Sequence, residues 1–241
     1  MATNRRSPST TGLPHASALT AVLEAKNMRP MIHRLFYVAK RSPEQAYCGK
    51  ITDHYERLFH KQIKSNLGES ISGLLLIYPS CVIHMVESSS EILQGIIQDL
   101  VEIQNQGANS LLQDTRILVL SHNIPSRLLP QWYFHEVRLP VLYLSDMASE
   151  ESLEPVVEDC LTVMLKLGVC VSQMLQPGSK CPGGHLTDLA PELLVREDII
   201  NFLTQSDMLL EPRAFLALYN KPINAPFESD EVWPTPQHQF L

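Results

Sequence analysis

Two apolar runs separated by only two residues constrain the fold of this 241-residue chain more than any other feature. The runs cover residues 71–78 and 81–87, and Pro79-Ser80 lies between them. Each run has the length and composition of a strand, and a Pro-Ser break is typical of a turn. The pattern predicts a β-hairpin. The first run is apolar on both faces, so we expect its strand to be central or covered on both sides.

Strand and helix patterns also precede the hairpin. The apolar run at residues 35–39 predicts a strand, and apolar residues recur at helical spacing over residues 51–63. Asp53 and Glu56 offer a capping box near the start of this helix. Gly68 lies just past its last apolar residue, where a left-handed stop is expected.

A second helix and two further strands follow the hairpin. Ser88 and Glu91 form a second capping box, ahead of an apolar stripe over residues 92–101. Glu87 directly precedes this helix, so its charge is interpreted as favouring the helix N-terminus. Strands are predicted at residues 117–120 and 133–137.

The resulting order is β-α-β-β-α-β plus one extra strand, within about 105 residues. This order is typical of the ferredoxin-like arrangement, an antiparallel sheet with two helices on one face. The sequence therefore predicts an α+β domain over residues 31–145. In this topology the first and third strands are neighbours, which brings residues distant in sequence together.

The remaining segments differ in composition from this domain. Residues 1–30 are predicted to form a basic N-terminal arm with a short helix, and residues 146–221 a helical extension. Helices are expected at residues 150–175, from Pro191 onward and at residues 213–219. Residues 222–241 are predicted to be an extended Pro-rich tail. The sequence leaves open whether the helical extension covers the exposed face of the sheet.

Charge is distributed unevenly along the chain. The net charge of −7 divides into +6 over residues 1–41, −3 over residues 42–145 and −10 over residues 146–241. A charge of +6 over such a segment is low for nucleic-acid binding, so a solvated arm is favoured. The basic head and acidic tail are interpreted as docking segments for protein partners.

Several classes of protein are disfavoured by the composition. The apolar stretch at residues 71–86 is too short and too interrupted to span a membrane, and no secretory signal is visible. The five cysteines include no C-x-x-C pair, which argues against a disulfide framework and favours a reducing compartment. A zinc site built from Cys170, Cys181 and His185 lacks paired ligand spacing, so no metal is expected. Phosphate-binding, hydrolase and metalloprotease motifs are absent from the sequence, and no catalytic residue is predicted.

Three residues form the candidate site. Tyr37 lies on the predicted first strand, His84 on the neighbouring third strand, and Asn66 at the end of the helix between them. Strand alternation places His84 with Val82 and Val86 on one apolar face. Two interpretations are open, a binding residue and a hydrogen-bonded core histidine, and the second is favoured.

Four segments resemble the BLUF family of blue-light sensors, which hold FAD on a ferredoxin-like sheet. The resemblance covers about residues 33–140 and is carried by the following segments: 34–37, 70–76, 82–87 and 127–132. It implies that Tyr37 matches the family's photoactive tyrosine and Asn66 its flavin-binding asparagine. The family's switching glutamine falls at His84. Because the flavin switch needs tyrosine and glutamine together, the resemblance implies that the family's photochemistry is absent. Tyr37, Asn66 and His84 are therefore interpreted as vestigial pocket positions, and no cofactor is expected, with FAD binding the less favoured alternative.

The whole chain also resembles a family of vertebrate testis-expressed proteins with a degenerate BLUF-like domain. This second resemblance implies expression in sperm and a cytoplasmic, cytoskeletal place in the axoneme of the flagellum or cilium. The leading hypothesis is a non-enzymatic structural or adaptor protein that binds axonemal or flagellar proteins, without nucleic acid or membrane. One alternative is a flavin- or nucleotide-binding sensor domain without photochemistry. An acylphosphatase-like hydrolase of the same fold is a third, less favoured hypothesis, because the loop after residue 39 lacks glycine until Gly49.

Overall fold

The computed structural model of the chain describes residues 31–42, 48–137, 152–174 and 191–219. The predicted basic arm over residues 1–30 and the Pro-rich tail over residues 222–241 lie outside the described residues. So does the predicted boundary at residue 145.

Five strands and five helices make up the described part of the chain, and the predicted hairpin is among them. In chain order they are β1 (Ile32–Arg41), α1 (Cys48–Ser65), β2 (Ser72–Ile77), β3 (Cys81–Ser88), α2 (Ser90–Gln104), β4 (Leu112–Ile124), β5 (Trp132–Glu136), α3 (Leu153–Met174), α4 (Glu197–Gln205) and α5 (Pro212–Tyr219).

The strands form one sheet in the order β4-β1-β3-β2-β5. Strand β1 pairs antiparallel with both β3 and β4, and β2 pairs antiparallel with β3. This is the ferredoxin-like order, so the predicted α+β fold is confirmed. Strand β5 pairs parallel with β2 at the outer edge, which makes the complete sheet mixed. The segment after β4 therefore carries the chain from one edge of the sheet to the other.

One face of the sheet packs against α1 and α2. Alternate residues of the strands point to this face, and α1 contributes Ile51, Tyr55 and Phe59. Helix α2 contributes a buried stripe over residues 92–103. This face holds Val82 and Val86 on β3, as the predicted alternation requires.

The opposite face packs against the C-terminal helices. Ile83 and Met85 of β3 lie in a second apolar cluster with Met164 of α3 and Ile200 of α4. All six residues of β2 are consequently buried. The expectation of a doubly covered first hairpin strand is confirmed, and α3 and α4 supply the second cover that the sequence left open.

The stop of α1 is confirmed, and its predicted start is wrong. Gly68 has a φ of +83°, and its N–H donates to the carbonyl of Ile63 at 2.9 Å. The helix begins at Cys48, so Asp53 and Glu56 are exposed residues in its interior and form no capping box.

The predicted start of α2 is also wrong by one residue. Ser88 ends β3, and its hydroxyl donates to the carbonyl of Ser70 at 3.1 Å. Ser89 takes the N-cap position without a side-chain cap hydrogen bond. The helix predicted from Pro191 is a short 3-10 turn over Pro191–Leu193, and α4 follows it from Glu197.

Candidate functional site

Four side chains form a hydrogen-bonded aromatic network between the sheet and α1. Trp132 Nε1 donates to His84 Nε2 at 2.8 Å, and His84 Nδ1 lies 2.6 Å from the hydroxyl of Tyr37. The Tyr37 hydroxyl donates to that of Tyr55 at 2.5 Å. The aromatic network thus links β5, β3, β1 and α1, and it contains two of the three predicted site residues.

The strand pairing explains why Tyr37 and His84 meet. They are direct partners in the antiparallel register of β1 and β3. Directly opposed side chains on one face of such a pair lie close enough to interact. Tyr55 reaches them from the buried side of α1. The predicted juxtaposition of Tyr37 and His84 agrees with this geometry.

The hydrogen-bond donors fix the protons of the aromatic network. An indole N–H can only donate, so Nε2 of His84 must be the acceptor and therefore carries no proton. A neutral His84 then has its proton on Nδ1 and donates it to the oxygen of Tyr37. The Tyr37 hydroxyl is left to donate to Tyr55. Every link consequently runs in one direction, from Trp132 to Tyr55.

Burial holds the network in its neutral form. Tyr37, Tyr55 and His84 are 0% exposed. Desolvation lowers the pKa of His84 to about 3 and raises the pKa of both Tyr37 and Tyr55 above the usual tyrosine value. With its pKa lowered and its Nε2 lone pair occupied by Trp132, His84 is a weak base near neutral pH, and the neutral phenols of Tyr37 and Tyr55 are weak nucleophiles.

Aromatic rings fill the space around His84. The centroid of its ring lies 4.8 Å from that of Tyr55, 6.0 Å from that of Trp132 and 6.2 Å from that of Phe59. Phe59 and Trp132 also meet edge to face, at 5.3 Å. His84 is therefore enclosed by side chains of α1 and β5, and it is a hydrogen-bonded core histidine, the favoured interpretation of the sequence.

Asn66 does not join the aromatic network. Its side-chain nitrogen donates to the carbonyl of Gln62 at 2.8 Å, within the last turn of α1. It is half-buried there and makes no hydrogen bond to Tyr37 or His84. Of the three predicted site residues, Tyr37 and His84 therefore lie together, and Asn66 instead forms a hydrogen bond at the end of its own helix.

A buried carboxylate organises the edge of the site. Glu87 is 0% exposed, and its Oε1 accepts from Nε and Nη2 of Arg34 at 2.8 and 2.6 Å. The hydroxyl of Ser72 donates to Oε2 at 2.9 Å, and the backbone N–H of Leu128 donates to the carboxylate at 3.0 Å. The interpretation of Glu87 as a helix N-terminal charge is therefore wrong. Its partners are distant in sequence, and local context does not reveal them.

Arg127 attaches the segment before β5 to the same edge. Its guanidinium donates to the carbonyls of Glu87 at 2.6 Å and Ser70 at 2.7 Å, and to the hydroxyl of Ser72 at 3.1 Å. These bonds hold the short segment that leads to Trp132. In the sequence, the R-L-L-P-Q-W run over residues 127–132 is the signal that could have indicated the anchoring role of Arg127.

A polar cleft lies apart from the aromatic network, between α1 and the turn after α2. It has a volume of about 310 Å³ and is lined by Lys50, Asp53, His54, Arg57, Gln106, Asn109 and Leu111. His54 Nε2 lies 2.7 Å from Oδ2 of Asp99, which fixes its ring. Sequence reasoning did not find this cleft, because its two walls are far apart in sequence.

Two negative findings apply to the described part of the chain. No three histidine, cysteine or acidic side chains are grouped there as metal ligands. None of its helices combines the length and the apolar character required to cross a bilayer.

The fold and the site define a class of protein: a ferredoxin-like α+β domain that is covered on both faces and encloses a neutral aromatic network. The chain belongs to the family described as Testis-expressed protein 47, whose family model matches residues 31–221. This match confirms the resemblance to a testis-expressed family.

Solved structures similar to the chain include BLUF proteins. They include "BlrP1 BLUF" (19% identity, TM-score 0.33, 45% of this chain and 66% of that one) and the dark state of BlrB, a BLUF protein (17%, 0.30, 45% and 73%). A bacterial light-regulated adenylyl cyclase matches at 15% identity with a TM-score of 0.34, over 72% of this chain and 39% of that one. The chain spans less than two thirds of the first two solved structures that it matches. The strand order and the packing of the helices on the sheet define the fold.

Proposed function

We propose that this protein is a non-enzymatic structural or adaptor component of the sperm flagellum, associated with the axoneme, whose ferredoxin-like domain serves as a protein-interaction scaffold. Membership of a testis-expressed family supports the tissue.

The observation that carries the non-enzymatic role is the enclosure of His84. Tyr37 and His84, two of the three vestigial pocket positions that the BLUF resemblance implies, are hydrogen-bonded to each other, and rings from α1 and β5 surround His84. Tyr37 and His84 are neutral and 0% exposed, so they present no reactive group to a substrate. This arrangement supports a structural role, in which the enclosed side chains stabilise the core of the scaffold domain.

The same enclosure supports the absence of a bound flavin. A flavin on this face of the sheet would have to displace Tyr55 and Phe59, which both belong to the apolar core beneath α1. Removing such side chains from a core costs several kcal/mol each, roughly 3–5 for a phenylalanine. The alternative, a flavin- or nucleotide-binding sensor, therefore requires a rearrangement of α1.

Affinity capture from testis extract tests the adaptor role. Full-length recombinant protein carrying a tag is incubated with extract, and retained proteins are identified by mass spectrometry against a tag-only control. We expect flagellar or axonemal proteins among those retained. Staining of sperm with an antibody to the protein should label the flagellum. Retention of the same set by the tag alone would contradict the proposal.

Absorption spectroscopy tests the absence of flavin. Full-length protein expressed with riboflavin supplementation should be colourless after purification and should release no flavin on denaturation. The Tyr55→Ala/Phe59→Ala variant, grown in parallel, opens the enclosed face. A yellow wild-type protein would favour the sensor alternative.

A further inference from the structure

The cationic side chains of α1 lie in one stripe, on the side of the helix away from the core. All are exposed: Lys50, Arg57, Lys61 and Lys64. At 3.6 residues per turn they fall within an arc of about 60° and extend over about 21 Å of the helix axis. The buried residues Ile51, Tyr55 and Leu58 lie on a separate arc, centred about 120° around the helix from the stripe. Packing against the sheet therefore leaves this stripe facing outward.

Three of the four cations of the stripe have no ion-pair partner among the described residues. Arg57, Lys61 and Lys64 make no ion pair with any residue of the described ranges. Asp53 and Glu56 are exposed on the same helix, but their positions fall at one edge of the stripe and beyond it. The exposed surface of α1 thus carries an excess of positive charge on a chain whose net charge is −7.

The polar cleft adjoins one end of this stripe. Lys50 and Arg57 belong to both, and the side chains of Gln106 and Asn109 add amide donors on the opposite wall. His54 presents a ring whose orientation Asp99 fixes at 2.7 Å. Asp53 also lines the cleft, but the cationic and amide donors outnumber this one carboxylate and match the oxygen acceptors of a second one.

We propose that the stripe and the cleft on α1 bind an acidic segment of a partner protein. The inference rests on the proposed function and names the chemistry of one docking surface of the scaffold. A length of about 21 Å accommodates about six residues of extended chain at roughly 3.3 Å each. Charge complementarity defines this occupant. A single-stranded nucleic acid would also need aromatic stacking platforms, and the four stripe positions carry none.

Fluorescence polarisation with a labelled polyglutamate peptide tests the proposal on the full-length protein. We expect binding that weakens with added salt, because the contacts are exposed charges. The Arg57→Gln/Lys61→Gln variant should lose about tenfold in affinity, equivalent to about 1.4 kcal/mol. Glutamine is a good helix former, so α1 should remain intact, which circular dichroism checks. Lys166→Gln, at an exposed position of α3 on the other side of the sheet, is the matched control and should change affinity less than about twofold.

Equal affinities for the wild type and the Arg57→Gln/Lys61→Gln variant would overturn the proposal, as would the absence of peptide binding at low salt. Preferential binding of a labelled polyuridylate probe would overturn it in favour of nucleic acid. The capture experiment separates this inference from the scaffold role. If the double variant retains the same testis proteins as the wild type, the α1 surface is not their docking site, while the adaptor role stands.

Discussion

The indole N–H of Trp132 donates to Nε2 of His84 across 2.8 Å, which assigns the imidazole proton to Nδ1 and orients the whole aromatic network. A residue at the start of an edge strand thereby sets the tautomer of a histidine that is 0% exposed. The hydrogen bonds from Tyr55 to Trp132 hold β1, β3, β5 and α1 together.

Trp132→Phe should destabilise the protein because it removes the indole N–H that donates to Nε2 of His84. The buried nitrogen would be left without a partner, at a cost of about 1–3 kcal/mol in the free energy of unfolding. Urea denaturation measures the change. Phe134→Leu, on the same strand at a side chain that is 50% exposed, is the control and should cost about 0.5 kcal/mol or less. Equal costs for the two variants would mean that the hydrogen bond contributes nothing.

The pH dependence of stability should show the titration of His84. Its pKa is about 3 in the folded protein and about 6.5 when unfolded, so below pH 6.5 the unfolded chain binds a proton that the native state does not. Stability should therefore be complete above pH 6.5. Between pH 6.5 and 3 it should fall by about 1.4 kcal/mol per pH unit from this group.

His84→Gln supplies the comparison for this pH profile. An amide can accept from Trp132 and donate to Tyr37, but it does not titrate. The pH dependence of the variant's unfolding free energy should therefore lack the contribution of His84 and keep that of the carboxylates. The difference in unfolding free energy between wild type and variant, measured in urea from pH 7.5 downward, should change steadily below pH 6.5. A difference independent of pH would show that His84 is not protonated on unfolding in this range.

The meeting of Tyr37 and His84 could be predicted from the sequence because it follows from strand order and side-chain alternation. Once the first and third strands are neighbours, alternation decides which residues of β3 share a face, and His84 falls with Val82 and Val86. Both steps depend on the period of the side chains and on a common topology.

The rest of the site depends on long-range packing. Tyr55 lies within the helical pattern predicted over residues 51–63, but its bond to Tyr37 depends on how α1 is rotated against the sheet. Trp132 reaches His84 because β5 pairs with β2 at the far edge, and no local pattern specifies that pairing. The local sequence predicts Glu87 as a charge at a helix N-terminus, but its partner is Arg34 on another strand.

Glu87→Gln should be among the most destabilising substitutions that change no side-chain volume. It removes the charge that Arg34 pairs with at 2.6 Å and replaces one acceptor oxygen by a donor facing backbone N–H groups. Breaking a buried ion pair in this way costs about 3–5 kcal/mol. Thermal and urea unfolding measure the loss. Glu91→Gln, exposed in the first turn of α2, should cost about 1 kcal/mol or less, so similar losses would contradict the role of Glu87.

Gly73→Ala should destabilise the sheet far more than Gly68→Ala, although both glycines have positive φ angles. Gly73 has a φ of +150°, and a Cβ there would lie 2.1 Å from the carbonyl oxygen of Met85, a backbone atom of the neighbouring strand β3. Gly68 has a φ of +83° with no atom within 4 Å of its Cβ position. The Gly68 variant should therefore show only the left-handed backbone cost of about 1–2 kcal/mol. The Gly73 variant must in addition separate β2 from β3, and we expect a loss above about 3 kcal/mol or failure to fold. Since Trp132 pairs with Gly73 in the register of β5, this separation should also expose the indole, which a red shift in tryptophan fluorescence would reveal. Equal stabilities of the two variants would show that the close approach of β2 and β3 is dispensable.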